Sequence, residues 1–386
     1  RKQQGNSHNP LRKPRSAGGF EIMKLYTKKK TIISLSLIAG ILIVIAICSC
    51  TTKKSSDFIT VIDMEGTQVT LNKNINRVAC ISPSATNLMI AFGLGEKIVG
   101  TYRSFLYNSW VYELYPPARK FKEYSYSISA EELIKDEIDL VILQNTENAE
   151  SFRNAGIPVV AVHQYSSTGP FDDEVYEVAE LIGEIFGNPA QQQADKWIQD
   201  VKASISEIHS KIGSQNTERS IYYVNGEKEK GLFYSDGGNS MISRILEIAN
   251  VRLATEKYGV LNVHKVSDEE MVSLNPFAML IGGAYQNNLI DELNTSDIWS
   301  LLDCNKQGRI YRIPVAMVGI ENVCAETPVM LRYVASLFNE TYHFDLQQEL
   351  KKNIKKYFGC DLSDDDIKNM CLGLDKNGKP MVNPKN

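Results

Sequence analysis

The sequence predicts an α/β protein of two lobes, each built on a mainly parallel sheet, with a single long helix bridging them. Three observations predict it. Short β-branched runs alternate with helical patterns over 77–162, the alternation resumes over 220–338, and between them lies one amphipathic stretch long enough to join two bodies.

In the first set, 77–81, 97–100, 140–143 and 159–162 have strand character, whereas 86–92 and 130–135 have helical character, the order expected of βαβ units. The stretch 189–212 places Ala194, Trp197, Ile198, Val201, Ile205, Ile208 and Ile212 at three- and four-residue steps, and Asn188 with Pro189 marks its start. The second set passes through 220–224, 240–249, 269–274, 278–282 and 309–312 and closes on a helix over 327–338. Residues 339–386 carry Tyr342, Phe344, Tyr357 and Phe358 and are expected to add helices packed on the second lobe.

The two sets share a unit. Ser129-Ala130-Glu131-Glu132-Leu133 precedes the strand 139–143, and Ser267-Asp268-Glu269-Glu270-Met271 precedes the strand 278–281 at nearly the same offset. In each copy a serine stands three places before a glutamate, the capping box that satisfies free amides at a helix start, and this accounts for Glu132 and Glu270. Glu131 and Glu269 have no comparable local task beyond a favourable place on the helix dipole.

At the N-terminus, Lys24, Lys28, Lys29 and Lys30 precede an uncharged apolar run over 32–48, the layout of an export signal. A membrane anchor is the alternative, and both readings place the folded part outside the cytoplasm. Residues 1–22 lie ahead of Met23 and are expected to be a non-native extension or a misplaced start. The expected division is then a signal peptide over 23–49, a polar tether over 50–57, a first lobe over 58–187, the bridging helix over 188–213, a second lobe over 214–338 and the extension 339–386.

Residues 1–49 hold nine of the 42 basic residues and one of the 46 acidic ones, so the remainder carries 33 against 45, a net charge of −12. That balance, with no basic stripe, argues against nucleic acid as a partner. Beyond residue 50, Cys80, Cys304, Cys324, Cys360 and Cys371 are odd in number and lack CxxC spacing, which disfavours a zinc site. Cys80 is expected in the core, and a disulfide among the other four is left open. Gly93-Leu94-Gly95 follows a helix pattern and is a helix stop, not a phosphate loop. Asp364–Asp366 follow Ser363 as a capped helix start, and Asp375-Lys376-Asn377-Gly378 is a turn. No GxSxG or HExxH signature is present, and the expectation is a protein that is not an enzyme and holds no cofactor.

Ligands of α/β sheets bind beyond the carboxyl ends of the strands. Those ends offer Pro83, Ser84 and Thr86, then Tyr102 and Arg103, then Gln144 and Asn145, then His163, Gln164 and Tyr165; the second lobe offers Tyr234, Ser235, Gly283, Tyr285 and Glu321. Aromatic rings with the Arg103 guanidinium suit a bulky anionic chelate. For His163, hydrogen bonding is the more ordinary role and haem ligation the sharper one. His209, His264 and His343 are too scattered to join it in a bare-metal site, so no metal ligands are assigned.

Ile47-Cys48-Ser49-Cys50 resembles the bacterial lipobox, which implies lipidation of Cys50. The stretch RVACISPSATNLMIAFGLGEKIVG over 77–100, the IxVxDxxG pattern of 59–66, SISAEELIKDEIDLVI, GIPVVAV and GRIYRIP together resemble the iron–siderophore and cobalamin class of periplasmic binding proteins over nearly the whole chain beyond the tether. The resemblance implies the class III periplasmic-binding fold and the role of substrate-binding lipoprotein to an ABC permease and its ATPase. The ligand would be a small-molecule metal chelate bound between the lobes. It further implies a monomer held by its lipid at the outer face of the cytoplasmic membrane or in the periplasm. Glu131 and Glu269 take the family's permease-docking positions. Haem, cobalamin or an oxyanion such as molybdate are the alternative ligands, and a ligand-presenting sensor is the alternative role.

Overall fold

The computed structural model describes residues 57–162, 171–213, 219–226, 231–259 and 263–381. The signal segment, Cys50, residues 1–22, His163, Gln164 and Tyr165 lie outside the described residues. Among those described, no helix is long and apolar enough to cross a membrane.

Four-residue runs without a charged or amide side chain, VACI, LVIL and AMLI, are buried at every position and become central strands, as strands covered on both faces must. A hairpin of β1 (Phe58–Ile62) and β2 (Gln68–Asn72) opens the fold. Then β3 (Val78–Ile81), β4 (Ile98–Tyr102), β5 (Lys122–Tyr124), β6 (Leu140–Leu143) and β7 (Val159–Ala161) form a parallel sheet in the order β5-β4-β3-β6-β7.

In the second lobe the strands are β8 (Ser220–Val224), β9 (Tyr234–Ser235), β10 (Arg252–Leu253), β11 (His264–Lys265), β12 (Ala278–Ile281) and β13 (Ile310–Arg312). Four of them form a second parallel sheet, β10-β8-β12-β13, while β9 and β11 pair antiparallel to one side. The order β4-β3-β6-β7 thus recurs as β10-β8-β12-β13. The helices Ala130–Lys135 and Asp268–Leu274, which carry the repeated sequence unit, occupy corresponding places before β6 and β12.

The long helix runs Ala190–Ile212, 23 residues or roughly 34 Å at the α-helical rise. Its buried face is Ala194, Trp197, Ile198, Val201, Ile208 and Ile212, with Ile205 half-buried, as the spacing predicts. The start differs from expectation: Pro189 holds the cap position without a side-chain hydrogen bond, so Asn188 does not cap the helix. A second helix, Phe171–Phe186, packs along it and has no counterpart in the sequence reading.

The core is one continuous cluster that starts in the first lobe, includes one face of the bridging helix and continues through Ile313–Phe338 into the C-terminal helices. Each sheet has a smaller cluster on its other face. The helices Leu346–Phe358 and Asp364–Cys371 do more than cover the second lobe. Trp110 of the first lobe donates through Nε1 to the Leu374 carbonyl at 2.8 Å, and the Arg312 guanidinium of the second donates to the Leu372 carbonyl at 2.8 Å. Lys356 and Tyr357 both hold Asp200 on the bridging helix. All five cysteines in the described region are free, so none of the disulfides left open by the sequence forms.

Candidate ligand cleft between the lobes

Parallel strands bring all their carboxyl ends to one edge, and the two sheets turn those edges toward each other across a cleft of about 520 Å³. From the first lobe, β4 ends in Tyr102, and the short helix Arg103–Leu106 begins at the next residue and carries the chain on to Tyr107 and Asn108. Tyr126 lies against Tyr102 with ring centroids 4.3 Å apart and planes 24° from parallel, a stacked pair on the cleft wall. Gln144, just beyond β6, completes this side and accepts from the Ser82 hydroxyl at 3.4 Å.

From the second lobe come Tyr223 and Asn225 at the end of β8, Gly283 and Tyr285 after β12, Asp236, and the loop from Met317 to Asn322. Asn225 donates to the Asp236 carboxylate at 2.9 Å. Burial, with Tyr107 nearby, raises the Tyr285 phenol above its usual range, so it stays a neutral donor.

Glu321 sits at the base of this half, 7% exposed. Its Oε1 accepts from the Gly283 amide at 2.7 Å and from the Tyr223 hydroxyl at 3.4 Å, while Oε2 has no partner among the described residues. Burial pushes the carboxyl up to about 7, against the pull of the amides of Glu321 itself and Gly283, with the Asp236 charge adding to the rise. Gly282 and Gly319 leave the space this carboxyl fills, since a Cβ at either would meet it. Backbones also come close here: a Cβ on Gly226 would overlap the Gly282 carbonyl. Gly226→Ala is therefore expected to force the ends of β8 and β12 apart and to cost about 2–3 kcal/mol or more, measurable as a lowered urea midpoint.

The lobes meet around the cleft through side chain to backbone bonds. Asn108 Nδ2 donates to the Ala316 and Met317 carbonyls at 2.6 and 3.1 Å, and Asn87 Oδ1 accepts from the Ala325 amide at 2.8 Å. Trp197 Nε1 reaches the Cys324 carbonyl at 3.1 Å from the bridging helix.

Of the residues the sequence singles out, Pro83, Tyr102, Arg103, Gln144, Gly283, Tyr285 and Glu321 are brought together in the cleft lining. Thr86 is sealed below it, bonding the Ser82 carbonyl at 2.8 Å and the Thr101 hydroxyl at 2.7 Å, and Ser84 is buried in the same helix start. Asn145 accepts from the Glu147 amide at 3.0 Å in a local turn outside the lining. Tyr234 stands on the β9–β11 pair beside Lys265. Tyr107, Asn108, Tyr126, Tyr223, Asn225 and Asp236 escaped the sequence reading. The strand-end rule already contained Tyr223 and Asn225, because 220–224 has strand character.

Glu131 and Glu269 stand apart from the cleft, exposed on the first turns of Ala130–Lys135 and Asp268–Leu274. The capping box is complete in the second copy, with Ser267 and Glu270 bonding each other's amides at 3.2 and 2.7 Å. In the first, Ser129 caps the Glu132 amide at 3.2 Å. There the Glu131 carboxylate is held below its usual range by its own amide and the Ser129 hydroxyl, a local bond the sequence reading did not assign.

Two parallel-sheet lobes around a strand-end cleft define a two-lobed solute-binding protein, and residues 78–316 match the family model described as periplasmic binding protein; the chain belongs to that family. It is similar to the uncharacterized ABC transporter substrate-binding lipoprotein YvrC of Bacillus subtilis, 25% identical over 67% of this chain and 79% of that one. It is also similar to the iron(3+)-hydroxamate-binding protein YxeB of the same organism, 21% identical over 73% of this chain and 89% of that one. Among solved structures, the molybdate periplasmic binding protein MolA of Haemophilus influenzae matches with a TM-score of 0.68, 17% identity and coverage of 79% of this chain and 99% of that one.

Proposed function

We propose that this protein is the extracytoplasmic substrate-binding component of an ABC importer, that it captures a metal chelate of the iron–siderophore type, and that it delivers the chelate to a membrane permease and its ATPase. The observation that carries the reading is the cleft itself. Its first-lobe wall is a stacked Tyr102–Tyr126 pair beside Arg103, and its second-lobe wall is Tyr285, Asn225, Asp236 and Glu321. Flat rings supply apolar area for a bulky chelate, and the few polar groups fix its orientation. The family supplies the importer, and the names of two relatives support a lipoprotein and a ferric ligand.

In this account the signal 23–49 directs export and lipid on Cys50 anchors the chain through its tether. The folded part works as a monomer at the outer face of the cytoplasmic membrane or in the periplasm. It binds and releases without catalysing a reaction.

Titration of intrinsic fluorescence with a ferric hydroxamate, haem, cobalamin and molybdate tests the ligand class. Saturation at sub-micromolar concentration by the ferric hydroxamate is expected; saturation by another of the four alone reassigns the ligand. The delivery step has its own test. Glu131→Lys with Glu269→Lys is expected to abolish uptake of the bound chelate while leaving its affinity unchanged, because the reversed charges would repel the basic residues a permease needs to meet two carboxylates. Unimpaired uptake by that double variant removes the docking role.

A further inference from the structure

Among the described residues, six large apolar side chains are exposed, and two of them fall at the same position of the repeated unit. Ile134, 55% exposed, stands three residues after Glu131 on Ala130–Lys135; Val272, 46% exposed, stands three residues after Glu269 on Asp268–Leu274. Residues three apart share a helix face. The residues just before them, Leu133 and Met271, are fully buried and fix each helix to its lobe. Each lobe therefore presents the same outward pair, a carboxylate and an aliphatic side chain. In the second lobe, exposed Leu301 lies on a helix that packs against Asp268–Leu274 and can widen the apolar part.

One exposed aliphatic residue is ordinary. Its recurrence beside both glutamates is what asks for a cause. Exposed ion pairs are weak and screened by salt, so two contacts between a glutamate and a basic residue give only a few-fold advantage each. An apolar contact beside each pair excludes water and strengthens it, the arrangement typical of energetic centres in interfaces.

We propose that Ile134 and Val272 are the apolar half of the surface that docks the permease. The partner is then a permease presenting, once to each lobe, a basic residue next to an apolar socket. This rests on the importer reading and adds a contact that reading does not require.

The test is the affinity of the full lipoprotein for its cognate permease–ATPase complex in nanodiscs, without added ligand, for the wild type, Ile134→Ser with Val272→Ser, and a control, Phe58→Ser with Ile62→Ser, on the exposed hairpin. Loss of roughly tenfold per docking side chain is expected, with the control and the thermal unfolding temperature unchanged. High salt should remove the glutamate contribution and leave the apolar one. Unchanged affinity in the Ile134/Val272 variant, with Glu131→Lys and Glu269→Lys still abolishing it, overturns the proposal and leaves the importer reading standing. No effect of either pair overturns the proposal together with the docking role of Glu131 and Glu269. A concentration-dependent dimer that the Ile134/Val272 variant dissolves assigns the patch to a second copy of the chain and likewise overturns it.

Discussion

A chain ending at Phe338 is expected not to reach a stable fold. The residues beyond it are integral to the core: Tyr342, Leu350, Ile354, Tyr357, Ile367, Met370 and Met381 are all buried. At the usual value for burying such side chains their gross contribution is roughly 10 kcal/mol or more, against a typical net stability of about 5–15 kcal/mol. The entropy recovered by not ordering the segment offsets part of this, but its removal also strands polar groups. Trp110 Nε1 loses the Leu374 carbonyl, Arg312 and Asn287 lose the Leu372 and Gly373 carbonyls, and the Ala325 carbonyl loses Asn353. Buried polar groups left unpaired cost about 1–3 kcal/mol each. Far-UV circular dichroism and gel filtration of the truncated chain should show loss of cooperative unfolding or aggregation. A soluble, cooperatively unfolding truncation with the full-length transition temperature contradicts this assignment.

The second large effect is on pH. Glu321 and Glu326 are both buried, and burial pushes each carboxyl up to about 7 from an ordinary 4.5. Glu326 accepts a long bond from Asn87 Nδ2, 3.4 Å to Oε2, and the Cys324 thiol and its own amide also pull its carboxyl down, but burial outweighs all three. Both folded-state values lie above the unfolded one, so the folded state binds the extra protons. Their stabilising effect is complete below about pH 4.5 and is lost as pH rises through 7. The span corresponds to about 3 kcal/mol per group as an upper figure. Urea unfolding of wild type at pH 5, 6, 7 and 8 should therefore show stability falling across this window, and Glu326→Gln should flatten the fall by up to that amount. Glu321→Gln should act in the same direction, somewhat modified by Asp236. Parallel curves for wild type and both variants contradict neutral burial of these carboxyls.

Much of the architecture was legible because it follows local rules. Apolar four-residue runs located β6 and β12 to within a residue, and the three- and four-residue spacing of Trp197, Ile198 and Val201 located the bridging helix. The repeated serine–glutamate unit pointed to related lobes, and the recurring strand order agrees. What escaped has a common physical reason. Two- and three-residue strands such as β5, β9, β10 and β11 are too short for a period to register, and with β5 unread there was nothing to place Tyr126. Asp236 is placed by its bond from Asn225 within the second lobe and Asn108 by its bond to Met317 across the lobes, tertiary contacts that no local pattern encodes. Strand-end counting found Arg103 and Tyr285, yet it also selected Thr86, whose hydroxyl turns back to the Ser82 carbonyl as a helix residue does. Glu321 was selected only as a loop residue, because its burial comes from Gly282 and Gly319 leaving room for it.

The measurement that bears most directly on the central claim, that the interlobe cleft holds the ligand, is the affinity of a ferric hydroxamate for the wild type, Tyr285→Ala and Tyr102→Ala, each verified as folded by circular dichroism. Tyr285 and Tyr102 face the cleft from opposite lobes. Each loss should weaken binding by roughly tenfold through lost ring contact. Saturable binding at the same affinity in both variants would place the ligand elsewhere and contradict the account.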